Sequence, residues 1–125
     1  MFFSKPAGHK IINRGDFTPK DYTLEDFTLG EWATLDLSEI IPIGTFVVLL
    51  LIAFKADNEN TSIYFKETGV VNDDNMVSLN QYSVQTGFSG QVLIFCNNNR
   101  QIDYCTSTGG TFSIINLSVS GWVKK

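Results

Sequence analysis

Thr45-Phe46-Val47-Val48-Leu49-Leu50-Leu51-Ile52-Ala53-Phe54 is the stretch on which the fold turns. It follows the turn-like Ile41-Pro42-Ile43-Gly44 and carries no charge before Lys55. The uncharged run Ile40–Phe54 falls short of the roughly 20 residues that a membrane helix needs, and Pro42 and Gly44 interrupt its start, so no membrane insertion is expected. Its β-branched and aromatic content suits a buried strand, although periodicity alone leaves a helix open. Strand side chains alternate, so Val47, Leu49, Leu51 and Ala53 face one way, and Phe46, Val48, Leu50, Ile52 and Phe54 the other.

Both rows are apolar, whereas a two-layer sandwich buries one face of each sheet. Exposing five large side chains forfeits on the order of 10 kcal/mol, at about 2 kcal/mol each. The expectation is therefore that the Phe46–Phe54 row is covered from outside the sheet, by an N-terminal arm or by another copy of the chain. A loop of the same chain is the plainer alternative. Segment 91–96 repeats the pattern, with Leu93 and Phe95 on one side and Val92, Ile94 and Cys96 on the other.

Around this strand the pattern is strand, turn, strand. Trp32–Leu37 alternates, with Ala33, Leu35 and Leu37 on one face. Further strands are predicted near Ser62–Lys66, Val77–Gln85, Gln91–Cys96, Gln101–Ser107 and Thr111–Val123, separated by Gly and Asn/Asp clusters. Gly87-Phe88-Ser89-Gly90 and Gly109-Gly110 read as turns; no helix or lysine follows them, as a phosphate loop requires. The prediction is an all-β, antiparallel, jelly-roll-like sandwich of seven or eight strands over residues 32–125.

Residues 1–31 differ. Pro6, Gly8, Gly15, Pro19 and Gly30 break any period, yet Phe2, Phe3, Phe17, Tyr22 and Phe27 argue against a solvated tail. The first 20 residues hold Lys5, Lys10, Arg14 and Lys20 against Asp16 alone, while the remaining 105 hold five basic and twelve acidic side chains. This asymmetry predicts an extended arm that anchors on an acidic surface, its own body's or a neighbour's. Charge-dominated contacts would weaken with salt, and aromatic ones would resist it.

A length of 125 residues fits one domain. The net charge of −4 argues against nucleic-acid backbone binding. Charged residues make up 18%, below the roughly 25% usual in soluble domains, which points to a compact fold or a surface covered by a partner. Met1–Pro6 shows no secretory leader, and assembly in a reducing cytoplasm is expected. On that basis the Asn60-Thr61-Ser62 and Asn116-Leu117-Ser118 sequons carry no expected glycan. A hairpin around Asn97-Asn98-Asn99-Arg100, with Phe95 opposite Ile102, would set Cys96 and Cys105 roughly 13 Å apart at about 3.3 Å per residue. That is too far for a disulfide, though another register would reopen the question.

Catalytic chemistry is not legible. His9 is the sole histidine, too few for a zinc site and poorly placed for a catalytic triad. Asp57, Glu59, Asp73 and Asp74 offer oxygen ligands of the kind calcium takes, but solvated turn residues are the simpler reading. No metal, cofactor or enzymatic activity is expected. Arg14-Gly15-Asp16 spells an adhesion tripeptide, a weak signal inside the expected arm. Tyr64, Tyr82 and Trp122 have the apolar faces and polar edges that stack on sugars, yet such residues more often pack.

Several stretches carry a resemblance: Trp32–Ser38, Ile41–Gly44 and Val47–Leu50, then Val92–Ile94, Arg100–Tyr104 and Gly121-Trp122. Over about residues 30–123 the chain resembles a small β-sandwich domain of bacteriophage virion and tail-fibre-associated proteins. The resemblance implies a structural or adhesive virion part that often self-associates, and it transfers no catalytic motif. The expectation is a virion protein, a capsid decoration or a fibre or spike component attached to the particle through its N-terminal arm, forming a homotrimer and contacting other virion proteins. The expected interface comprises Phe2, Phe3, Lys5, Lys10, Arg14, Phe17, Phe46, Val48, Leu50 and Ile52. The alternative is a module binding a receptor or host surface glycan through loops 57–61, 69–76 and 106–111.

Overall fold

The computed structural model describes residues 10–16, 20–72 and 76–125; over them two antiparallel sheets pack face to face as an all-β sandwich. The strands are β1 (Ile11–Asn13), β2 (Tyr22–Thr23), β3 (Ala33–Asp36), β4 (Thr45–Ala56) and β5 (Thr61–Glu67). They continue with β6 (Val77–Gln81), β7 (Phe88–Phe95), β8 (Gln101–Thr106) and β9 (Phe112–Lys124). A single 3₁₀ turn, Leu24–Asp26, lies between β2 and β3 among the described residues. The large sheet runs β1-β9-β4-β7, with β2 also on β9, and the small sheet runs β3-β8-β5-β6.

The strands expected from alternation all form, except that the one expected over Val77–Gln85 ends at Gln81, and the two additional ones, β1 and β2, come from the N-terminal arm. The phase of β4 reverses the expectation. Val48, Leu50, Ile52 and Phe54 are buried in the inter-sheet core with Ile63, Phe65, Ile102 and Tyr104, and Phe46 is half-buried at the strand's start. These residues need no external cover, because the small sheet covers them. The row that turns away from the core is Val47, Leu49, Leu51 and Ala53, all half-buried. Core aromatics pack edge and face: Phe54 stacks on Phe88 at 5.3 Å, and Phe27 meets Tyr104 edge-on at 4.8 Å.

The expected 91–96/101–107 hairpin does not form, because β7 belongs to the large sheet and β8 to the small one. Asn97–Arg100 is a corner between layers. The Asn97 carboxamide oxygen accepts from the backbone N–H of Asn99 (3.0 Å) and Gln101 (2.9 Å). The Arg100 guanidinium donates to the carbonyls of Ser38 (3.0 Å) and Ile41 (3.1 Å), fixing the corner to the β3–β4 connection. Cys96 and Cys105 are free thiols, so the disulfide question is answered by sheet assignment rather than by hairpin register. Phe88–Gly90, expected to be a turn, opens β7 instead.

In its described part the arm docks on its own body. β1 pairs with β9 as Ile11 opposite Val123, and β2 pairs with β9 as Tyr22 opposite Leu117. Phe27 is buried, the backbone N–H of Thr28 donates to the Tyr104 hydroxyl (2.6 Å), and that of Gly30 to Thr106 Oγ1 (2.7 Å). The arm therefore closes the β9 edge of the large sheet.

Candidate docking face on the large sheet

Residues opposite one another on antiparallel strands project to the same face, so register alone maps the outer face of the large sheet. One row crosses β1, β9, β4 and β7: Ile11, Val123, Val47 and Phe95. The next holds Asn13, Gly121, Leu49 and Leu93. Ile11 and Phe95 are each 54% exposed and Leu93 is 53% exposed, while Val47, Leu49 and Val123 lie half-buried between them. Toward the other end the rows turn polar, as Ser118–Leu51–Gln91 and then Asn116–Ala53–Ser89. There a shallow groove of about 400 Å³ opens, lined by Lys20, Leu51, Ala53, Ser89, Gln91 and Asn116 among others.

Local chemistry explains how the strands of this face fit together. Gly121 lies where a Cβ would come within 2.7 Å of the Ile12 carbonyl oxygen, so its bare backbone lets β1 approach β9. β9 slips register between its pairings with Leu49 and Leu50, and Ser120 Oγ donates to the Leu49 carbonyl at that point (3.3 Å). No family model, curated protein or solved structure matches the chain. Any role for this face must therefore be argued from its chemistry.

The structure distributes the expected interface residues widely. Phe2, Phe3, Lys5 and Phe17 lie outside the described residues, as do Asp73, Asp74 and His9. Lys10 is exposed just before β1. Arg14 is turned onto its own body, donating to Asp21 Oδ2 (2.6 Å) and the Val119 carbonyl (3.0 Å). Val48, Leu50 and Ile52 belong to the core, which removes them from any partner surface. Sequence reasoning missed the outward row of β4. Its signal was Lys55, which shares parity with Val47, Leu49, Leu51 and Ala53. In β7, Ser89 and Gln91 likewise share parity with Leu93 and Phe95 and mark that side as solvent-facing.

In their described residues the three loops of the alternative surface lie apart. Ile63 lies opposite Thr106 and Glu67 opposite Ile102, so loops 57–61 and 106–111 sit at one end of β5, and residues 69–72 follow its other end. At the first end Asp57 Oδ1 accepts from the Thr111 N–H (2.7 Å), and Asn58 Nδ2 donates to the Gly109 carbonyl (2.9 Å). Asp57 thus serves as a loop clamp. Among the described residues no cluster of three acidic, His or Cys side chains forms. Trp122 is half-buried against the core, and its indole N–H has no hydrogen-bond partner among the described residues.

Proposed function

We propose that this chain is a non-enzymatic structural protein of a bacteriophage particle, a capsid decoration or a fibre or spike component, that attaches through the outer face of its large sheet. One observation carries the reading: the apolar row Ile11–Val123–Val47–Phe95 runs unbroken across the sheet, backed by Leu49 and Leu93. A contiguous apolar patch on a small acidic body is the usual mark of a surface that is covered in the working assembly. The sequence resemblance to virion β-sandwich domains supplies the particle. Assembly occurs in the host cytoplasm, consistent with two free thiols.

Co-sedimentation of the purified chain with intact phage particles from the same source tests this. The wild type is expected to travel with the particles, and Leu49→Lys to stay in the supernatant while remaining folded. A wild-type chain that never co-sediments, or a Leu49→Lys variant that binds as well, would overturn the reading.

A second reading rests on the opposite side of the molecule. The outer face of the small sheet places Tyr64 between Cys105 and Ser78, beside Lys66 and Asp103. Lys66 Nζ lies 4.2 Å from the Trp32 ring centroid, and Asn80 Nδ2 donates to the exposed Tyr82 hydroxyl (3.4 Å). Aromatic faces among hydroxyl, amide and charged groups suit a host surface glycan. Glycan-array binding lost in Tyr64→Ala would favour this role over particle attachment.

A further inference from the structure

The edges of the two sheets are unequal. β1 has three residues, β3 four and β6 five, whereas β7 has eight. Soluble proteins blunt long edges with charges, proline or bulges. Phe88-Ser89-Gly90-Gln91-Val92-Leu93-Ile94-Phe95 has none of these: it is uncharged, lacks proline and pairs with β4 in unbroken register. The Cys96 N–H donates to the Phe46 carbonyl at 3.0 Å, which fixes the phase of that ladder. Even-numbered residues of β7 therefore turn their backbone groups toward β4, and Ser89, Gln91, Leu93 and Phe95 turn theirs to the open edge. β4 is the only ladder partner of β7 among the described residues.

We propose that β7 is a self-pairing edge: two copies of the chain join antiparallel along it about a two-fold axis, making one continuous sheet of their large sheets. An antiparallel edge is self-complementary under a two-fold, so every outward N–H of one copy meets a carbonyl of the other. The register that pairs all four outward residues sets Ser89 opposite Phe95 and Gln91 opposite Leu93. No charge lies in the strand to oppose this.

The side chains fit the same register. Phe95, half-exposed on the outer face, comes beside the partner copy's equivalent of Ser89, at the lip of the groove lined by Leu51, Ala53, Ser89 and Gln91. The two Leu93 side chains become diagonal neighbours on that face. One joint thus occupies the bare edge and sets a Phe95 ring at the lip of the groove in both copies. A single isologous edge closes at two chains, which replaces the trimer expected from sequence.

The inference deepens the assembly reading, and rests on it, by naming a second copy as one partner. The mass of the full chain in solution tests it, together with amide exchange at Ser89, Gln91, Leu93 and Phe95. The expected result is twice the chain mass, with these four amides exchanging at least about tenfold more slowly than in a monomeric variant. Gln91→Pro removes a donor that points away from β4, a change an edge strand tolerates, and should return the mass to one chain with the fold intact. Phe95→Lys should do the same through the outer face. A wild-type monomer with fast-exchanging edge amides, or a three-chain mass, would overturn the proposal. So would edge protection that appears only when phage particles are added, an outcome that leaves particle attachment standing. A two-chain mass without particle binding instead keeps this inference and removes the attachment reading.

Discussion

The side-chain amide of Gln81 meets both backbone groups of Ala56: Oε1 accepts from the Ala56 N–H at 2.9 Å, and Nε2 donates to the Ala56 carbonyl at 3.0 Å. The same Nε2 also donates to the Asn58 carbonyl (3.0 Å). Gln81 is fully buried at the end of β6, and Ala56 ends β4, where its pairing with β9 slips register. A primary amide mimics a peptide unit, so this side chain supplies a hydrogen-bonding partner to β4 from the other sheet. Gln81→Leu keeps the volume but strands those backbone groups. It is expected to destabilise the fold by about 2–6 kcal/mol, from about 1–3 kcal/mol for each of the two Ala56 groups, measured by urea unfolding. A loss below about 0.5 kcal/mol would show that water satisfies Ala56 instead.

Asp21 and Arg14 bridge the gap on β9 between β1 and β2. Asp21 Oδ2 accepts from Arg14 Nη1 (2.6 Å) and from the Val119 N–H (2.8 Å), while Arg14 donates to the Val119 carbonyl. The ion pair stands in for a strand residue opposite Val119. Asp21→Ala should expose residues 10–16 to limited proteolysis and cost about 1–3 kcal/mol. Because both side chains are largely shielded, the wild-type cleavage pattern should change little between low and high salt. Strong salt sensitivity would place the arm's attachment in exposed charges.

Two glycines should respond differently to a methyl group. Gly87 has φ +66°, and a Cβ there would lie 2.4 Å from the Phe54 carbonyl oxygen of β4, a strand paired on both sides. Gly87→Ala is expected to cost about 2–4 kcal/mol, combining backbone strain with a clash that nothing can easily relieve. At Gly121 the obstacle is the Ile12 carbonyl, which belongs to a three-residue edge strand that can move away. Gly121→Ala should therefore lower the thermal midpoint less than Gly87→Ala, while speeding amide exchange in β1.

Burial pushes the Cys96 thiol from the ordinary value of 9 up to about 11, and its Sγ donates to the Thr45 carbonyl at 3.5 Å. Cys105 is raised too, again chiefly by burial. A thiol whose folded pKa is raised stabilises the fold fully below the unfolded value, and that contribution is lost as pH climbs through the folded one. Unfolding free energy should thus fall between pH 9 and 11, and Cys96→Ala should flatten part of that slope. Under native conditions a maleimide should label the half-buried Cys105 before the buried Cys96. Equal labelling rates would contradict the placement of Cys96 in the core.

The strand positions were legible because they rest on local chemistry. Asn/Asp and Gly clusters mark turns, and β-branched residues with period-two patterning mark strands, so β3, β4, β5, β8 and β9 emerge close to their expected limits. The apolar outer face of the large sheet was legible only in part. Leu93 and Phe95 could be grouped, but sequence offered them no neighbours; Val47, Val123 and Ile11 join them only through the register of four strands.

The chain's own chemistry settled that it is built of short antiparallel strands, that β4 is apolar on both sides, and that its N-terminal stretch carries aromatic and basic side chains. Tertiary structure decided which side of β4 is core, which sheets receive β7 and β8, and that the arm closes the edge of β9. The reason is physical. Alternation divides a strand into two faces by local sterics. When both faces are equally apolar, only long-range pairing chooses between them.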